Sequence, residues 1–213
     1  MKTAELIALL SADAGPVPRQ AASRRLGWAV TAALPLSLVL MLVAYGLRRD
    51  LSAAAALPMF WVKLVFPLCI AAMGFLAAQR LARPGMRAGA AWAGLLAPVL
   101  AVWLLAAFAW AGASETARPA MLWGQSWRGC IFNIVLLSAP MFVAVFGALK
   151  GLAPTRPSWA GAAAGAVAGG LGASVYALHC MELAAPFLAV WYVAGIAVTM
   201  ALGACLGPRL LRW

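Results

Sequence analysis

Acid is nearly absent from this chain. Its 213 residues hold five Asp and Glu, one His and four Cys, and no two cysteines are spaced Cys-x-x-Cys. No Ser-His-Asp set, pair of catalytic carboxylates or phosphate-cradling glycine loop can be assembled from that stock, so the chain is not expected to be an enzyme. Charge of either sign is scarce at 10%, against 66% hydrophobic residues and a mean hydropathy of +0.95. That composition excludes a soluble fold. The net charge of +11 would suggest nucleic acid in a soluble protein. Here the cations cap the ends of apolar runs, where they meet lipid headgroups, and no direct nucleic-acid partner is expected.

What the chain has is six long apolar runs, at 26–47, 57–78, 88–112, 129–149, 158–178 and 183–206. Each is close to the ~20 residues that cross a hydrocarbon core, and backbone groups without water must be satisfied within a helix. The expected fold class is all-α, a polytopic membrane protein of six transmembrane helices. The organisation is a tail over 1–25, a bundle over 26–206 and a short C-terminus over 207–213. No small-residue cleavage signature follows the first run, so it reads as a retained helix rather than a signal peptide.

Basic residues sort by side. Lys2, Arg19, Arg24, Arg25, Arg80, Arg83, Arg87, Lys150, Arg156, Arg209 and Arg212 fall on one side, and Arg48, Arg49, Arg118 and Arg128 on the other. The positive-inside rule then puts both termini in the cytoplasm of a bacterial inner membrane. Within the tail, Thr3 can cap a short helix with Leu6, Ile7, Leu9 and Leu10 on one face, ended by Gly15, Pro16 and Pro18. The connection 113–128, with Glu115, Trp123 and Trp127, is long enough to cover part of the outer surface. Gly161, Gly165 and Gly169, four residues apart, permit close helix packing.

The thiols carry the chemistry. Cys69 and Cys205 fall inside spans and read as buried apolar fillers. Cys130, at the start of the fourth helix, and Cys180, in the short link before the sixth, share the outer side although fifty positions apart. His179 and Glu182 flank Cys180, so Cys130, Cys180, His179 and Glu182 form a possible site for a soft or borderline metal. A structural disulfide and a sensing pair are both open on the residues alone. Lys63 is the one charge well inside a span. It is either a functional group or a side chain snorkelling outward.

These landmarks resemble the NrsF-like family of membrane anti-sigma factors. The resemblance lies in Glu5-Leu6-Ile7 to Leu10, Phe60-Trp61-Val62-Lys63-Leu64, Arg80-Leu81-Ala82-Arg83-Pro84-Gly85, Ser126-Trp127-Arg128-Gly129-Cys130 and Leu178-His179-Cys180-Met181-Glu182. It implies a protein that holds an extracytoplasmic-function sigma factor at the inner membrane until a stress, associated in that family with heavy metals, releases it. It also implies that Cys130 and Cys180 are the sensing thiols, with a transient heavy-metal ion there and no fixed cofactor. Leu6, Ile7, Leu9 and Leu10 are the expected sigma-binding face. The competing class is a small metal transporter or channel, with the outer thiols as its entry site. A transporter should show ligands or polar breaks at mid-membrane, and the spans offer little beyond Cys69, scattered methionines and prolines such as Pro67 and Pro140.

Overall fold

In a computed structural model, residues 3–12, 20–83 and 85–212 are described, without the side chain of Leu10. Among them the chain is helical, with no strand. The elements are α1 (Thr3–Ala12), α2 (Ala21–Ala44), α3 (Leu51–Ala55), α4 (Pro58–Leu81), α5 (Ala90–Gly112), α6 (Arg118–Trp123), α7 (Trp127–Lys150), α8 (Pro157–Ala177), α9 (Ala185–Phe187) and α10 (Val193–Leu210). A π-helical turn, Leu188–Tyr192, joins α9 and α10 into one apolar rod. That rod and α2, α4, α5, α7 and α8 are the six helices long and apolar enough to cross a membrane. Gly15, Pro16, Pro18, Lys2, Arg19 and Pro84 lie outside the described residues.

Helix ends depart from the apolar runs in a consistent way. The first span begins at Ala21 rather than 26, because Ala21, Ala22 and Ser23 continue the helix past the hydrocarbon boundary and carry Arg24 and Arg25 with them. It stops at Ala44, where Gly46 turns into the left-handed region at φ 74° and its N–H bonds back to the carbonyls of Met41 and Leu42. Hydropathy measures the lipid-compatible stretch, whereas capping decides where the helix ends.

The middle of the bundle is α8. It packs along α10, α4 and α7, while α2 lies against α7 and α5 lies outermost against α4 and α9. Of the six spans α8 is the least hydropathic, yet 94% of its membrane window is buried in protein. A helix surrounded by helices has no need of lipid-loving side chains; it needs small ones that let neighbouring backbones approach. Gly161 and Gly165 face the α10 backbone at Gly203 and at Thr199–Met200, Gly170 faces Pro67 and Ala71 of α4, and Gly172 faces Ser138 of α7. The Thr199 hydroxyl donates to the Gly165 carbonyl at 3.1 Å, joining α10 to α8. The glycine stripe is therefore a packing surface, as its spacing indicated.

Two buried-filler expectations are corrected. Cys69 and Cys205 are exposed on the outside of the bundle, because the α4 and α10 faces turned toward α8 are taken by smaller residues such as Ala71, Gly74 and Gly203. Cys69 instead lines an apolar groove of about 570 Å³ between α4 and α5, together with Trp61, Phe66 and Pro98.

Candidate functional site

The bundle has a thiol end, holding the connections 45–57, 113–126 and 178–184, and an arginine-rich end, where Arg25 donates to the Gly151 carbonyl and Arg80 to that of Ala88. At the thiol end, the link 178–184 is the point where the other elements meet. The Arg48 N–H donates to the Leu178 carbonyl at 3.2 Å. His179 Nδ1 lies 3.0 Å from the Gly46 carbonyl oxygen, with its ring against those of Tyr45 and Tyr176. The Cys180 carbonyl accepts from Lys63 at 2.6 Å and from Arg48 at 3.2 Å, and the Glu182 carbonyl accepts from Lys63 at 2.7 Å. The Glu182 carboxylate accepts the Gln125 backbone N–H at 2.7 Å. One short link thus ties the 45–50 segment, α4 and the α6–α7 turn together.

Each tie has a local cause. Arg48 is 4% exposed and forks onto both Asp50 oxygens at 2.8 Å, a pairing that satisfies a guanidinium taken out of water. The Arg48 hydrogen bonds hold the Asp50 carboxyl below the usual aspartate range, and Asp50 in turn raises Arg48. Gly124 adopts φ 52°, and a Cβ there would meet the Glu182 carboxyl group at 2.6 Å, so the carboxylate can reach Gln125 only over a glycine. Lys63 does not snorkel to water: it is fully buried, with its ammonium over the Tyr192 ring at 5.3 Å. Two hydrogen bonds to carbonyls, each worth about 1.5–3 kcal/mol for a charged donor, compensate its burial.

Both thiols are free and buried, Cys130 at 0% and Cys180 at 3% exposure. They share one core with Tyr176 and Tyr192, and the Cys130 thiol lies within electrostatic range of the Cys180 thiol, Lys63 and Glu182. The Cys180 sulfur is 3.9 Å from the Ser126 hydroxyl. The Tyr192 side chain is completely buried and faces the Cys180 side chain. At the π-helical turn one extra residue rotates the helix, so that Tyr192 points inward while the Trp191 ring packs at a tilt against those of Trp123 and Trp127. Trp191 also donates to the Leu122 carbonyl at 2.9 Å, fastening α6 over the bundle as the long connection 113–128 suggested.

The possible metal set of Cys130, Cys180, His179 and Glu182 is not gathered in this conformation. Among the described residues no three His, Cys, Asp or Glu side chains stand together as a metal-holding group. His179 and Glu182 are turned to Gly46 and Gln125. Soft-metal ligation by the two thiols fits their chemistry, but the other two donors would first have to leave these partners.

Asp50, Tyr45, Asn133 and Tyr192 belong to the site and were not singled out from the sequence, and Arg48 was read there only as one of the basic residues that set the orientation. Tyr45 donates to Asn133 at 2.9 Å, and Asn133 to the Tyr176 hydroxyl at 3.3 Å. Asn133 carried a usable signal, as an amide inside an apolar span. Of the tail residues, Leu6, Ile7 and Leu9 are exposed on α1, and the Leu10 side chain is outside the described residues.

The family described as "negative regulator of sigma F", NrsF, matches residues 10–213. The chain belongs to that family. It is similar over its whole length to a protein called probable anti-sigma-F factor NrsF from Azospira oryzae, at 44% identity with 100% of both chains covered. It is 39% identical to the anti-sigma-F factor NrsF of Caulobacter vibrioides, again with 100% of both chains covered. No solved structure is significantly similar. A family of negative regulators agrees with the lack of catalytic groupings in the sequence, and the NrsF resemblance read from the motifs is borne out.

Proposed function

We propose that this chain is an anti-sigma factor of the bacterial inner membrane. Both termini are cytoplasmic, and it holds an extracytoplasmic-function sigma factor there until metal or thiol stress reaches Cys130 and Cys180 on the periplasmic side. The observation that carries the reading is full-length similarity to two proteins named as anti-sigma-F factors. The asymmetry of the basic residues supports the orientation. Leu6, Ile7 and Leu9, exposed on a ten-residue helix before the bundle, offer an apolar face that a helical partner's groove can take.

The thiol end supplies the switch. Two buried free thiols bind a soft metal by giving up their protons, and the metal then bridges the link 178–184 to α7. That link is tied to α4 and to the 45–50 segment, so its displacement biases how α2 and α4 pack, and α2 leads back to the tail. A tenfold loss of sigma affinity requires only ~1.4 kcal/mol of differential binding between two packings.

The test is a pull-down of a purified extracytoplasmic-function sigma factor from the same cell by the detergent-solubilised chain, with and without residues 3–12. Retention that depends on the tail supports the reading. If the folded sigma factor is not retained by the intact chain, the reading falls, and metal-flux measurements in vesicles become the next experiment. Cys130→Ser and Cys180→Ser should each retain sigma yet fail to release it on metal addition. Release that persists in both variants would remove the sensing role.

A further inference from the structure

Lys63 is a buried cation that makes no ion pair with an acidic side chain among the described residues. Its ammonium donates to two main-chain carbonyls, those of residues 180 and 182, on either side of Met181, and it also faces the Cys180 side chain. Holding two carbonyls two residues apart constrains the backbone between them, and with it the direction of the Cys180 side chain. The exposures follow that constraint: Met181 is 61% exposed and Cys180 only 3%.

We propose that Lys63 positions the Cys180 thiol: its ammonium clamps the link 178–184 down on the bundle with Sγ inside, and opening of that clamp is what presents the thiol to water. The post from which Lys63 reaches is rigid. About one and two turns below it, Pro67 and Ala71 of α4 meet Gly170 of α8 backbone to backbone, and a turn further on Gly74 meets Ala166 and Val167. The link is therefore the part that moves. Arg48 shares the Cys180 carbonyl, but it comes from the 45–50 segment and its charge is already answered by Asp50. Lys63 ties the link to α4, a membrane-spanning helix other than the two that the link joins. The Tyr192 ring under the ammonium covers its remaining direction, so the clamp is enclosed.

This deepens the reading of Cys180 as a sensing thiol and takes its biological meaning from it. The test measures thiol access with no sigma factor present, so each idea can fail without the other. The detergent-solubilised chain, carrying Cys69→Ser and Cys205→Ser, is treated with a water-soluble maleimide, and modification of Cys180 and Cys130 is followed by peptide mass. Lys63→Met should speed modification of Cys180 by about tenfold, the factor given by ~1.4 kcal/mol of easier local opening, and by more than it speeds Cys130. Lys63→Arg, whose fork can still donate to both carbonyls, should stay within about threefold of the parent. If Lys63→Met fails to accumulate, Lys63→Gln replaces it and should speed Cys180 by at least about threefold, since its neutral amide donates more weakly. Three results overturn the proposal: an unchanged rate at Cys180 in the Met or Gln variant, equal acceleration at Cys130, or Lys63→Arg as fast as Lys63→Met.

Discussion

Gly165→Ala tests the packing on which the bundle depends. A Cβ at position 165 would run into the Thr199 carbonyl oxygen and stand 2.6 Å from Met200 Cα and 2.8 Å from the Thr199 carbonyl carbon. All three are α10 backbone atoms, which no rotamer change can move. Ordinary carbon contacts need about 3.5–4.0 Å, so α8 and α10 must separate by roughly 1 Å. A gap of that size forfeits between a quarter and a half of the dispersion attraction along the seam. Overpacking of this kind typically costs about 1–3 kcal/mol. The Thr199 hydroxyl bond to Gly165 stretches as well, adding about 0.6 kcal/mol for a side-chain bond between membrane helices. A loss of about 2–4 kcal/mol is expected, read as the midpoint of unfolding in mixed micelles of rising SDS fraction. Gly147→Ala is the matched control, since a Cβ on that glycine of α7 has nothing within 4 Å. It should leave stability unchanged or raise it by up to about 1 kcal/mol through helix propensity. Equal midpoints for the two variants would refute the close-packed seam.

Further outcomes follow from the thiol end. Asp50 is held below the usual aspartate range by Arg48, so its contribution is present above pH ~4 and is lost as pH falls through its lowered folded value. Asp50→Asn should therefore melt below the parent at pH 7, and the difference should vanish in strong acid; an equal difference at both ends would argue against the pairing. Gly124→Ala places a Cβ against the Glu182 carboxylate at a left-handed position. It should cost about 1–3 kcal/mol and speed amide hydrogen exchange at Gln125, whose N–H loses its acceptor; protection equal to the parent's would exclude that tie. Trp191→Phe removes the indole N–H that holds the Leu122 carbonyl. It should loosen α6, seen as faster proteolysis in 113–126, while the unfolding midpoint of the bundle shifts by less than about 1.5 kcal/mol.

Much of this protein was legible from residue order. The six spans were visible because lipid imposes a length and an apolarity that few other environments demand. The glycine stripe of α8 was recognisable as packing because small residues every fourth position have few other uses in a membrane helix. Cys130 and Cys180 were placed at one end of the bundle by counting spans. Lys63 stood out as the single ionisable group in mid-span, but its partners did not. Main-chain carbonyls carry no residue identity, so a side chain that binds them leaves no trace in the sequence of the segment it binds.

The same limit governs Cys69 and Cys205. Apolarity put them in the membrane, but lipid and protein interior are both apolar, so hydropathy could not tell a filler from a lipid-facing thiol. The sequence by itself determined the class, the spans, the family motifs and the set of residues able to do thiol chemistry, because each follows from local composition. The tertiary structure alone decided that α8 is central, that the link 178–184 gathers the thiol end, and that His179 and Glu182 serve as ties. Those facts depend on which surfaces meet, and the contacts join positions far apart in the chain, 57 residues for Gln125 and Glu182 and 117 for Lys63 and Cys180.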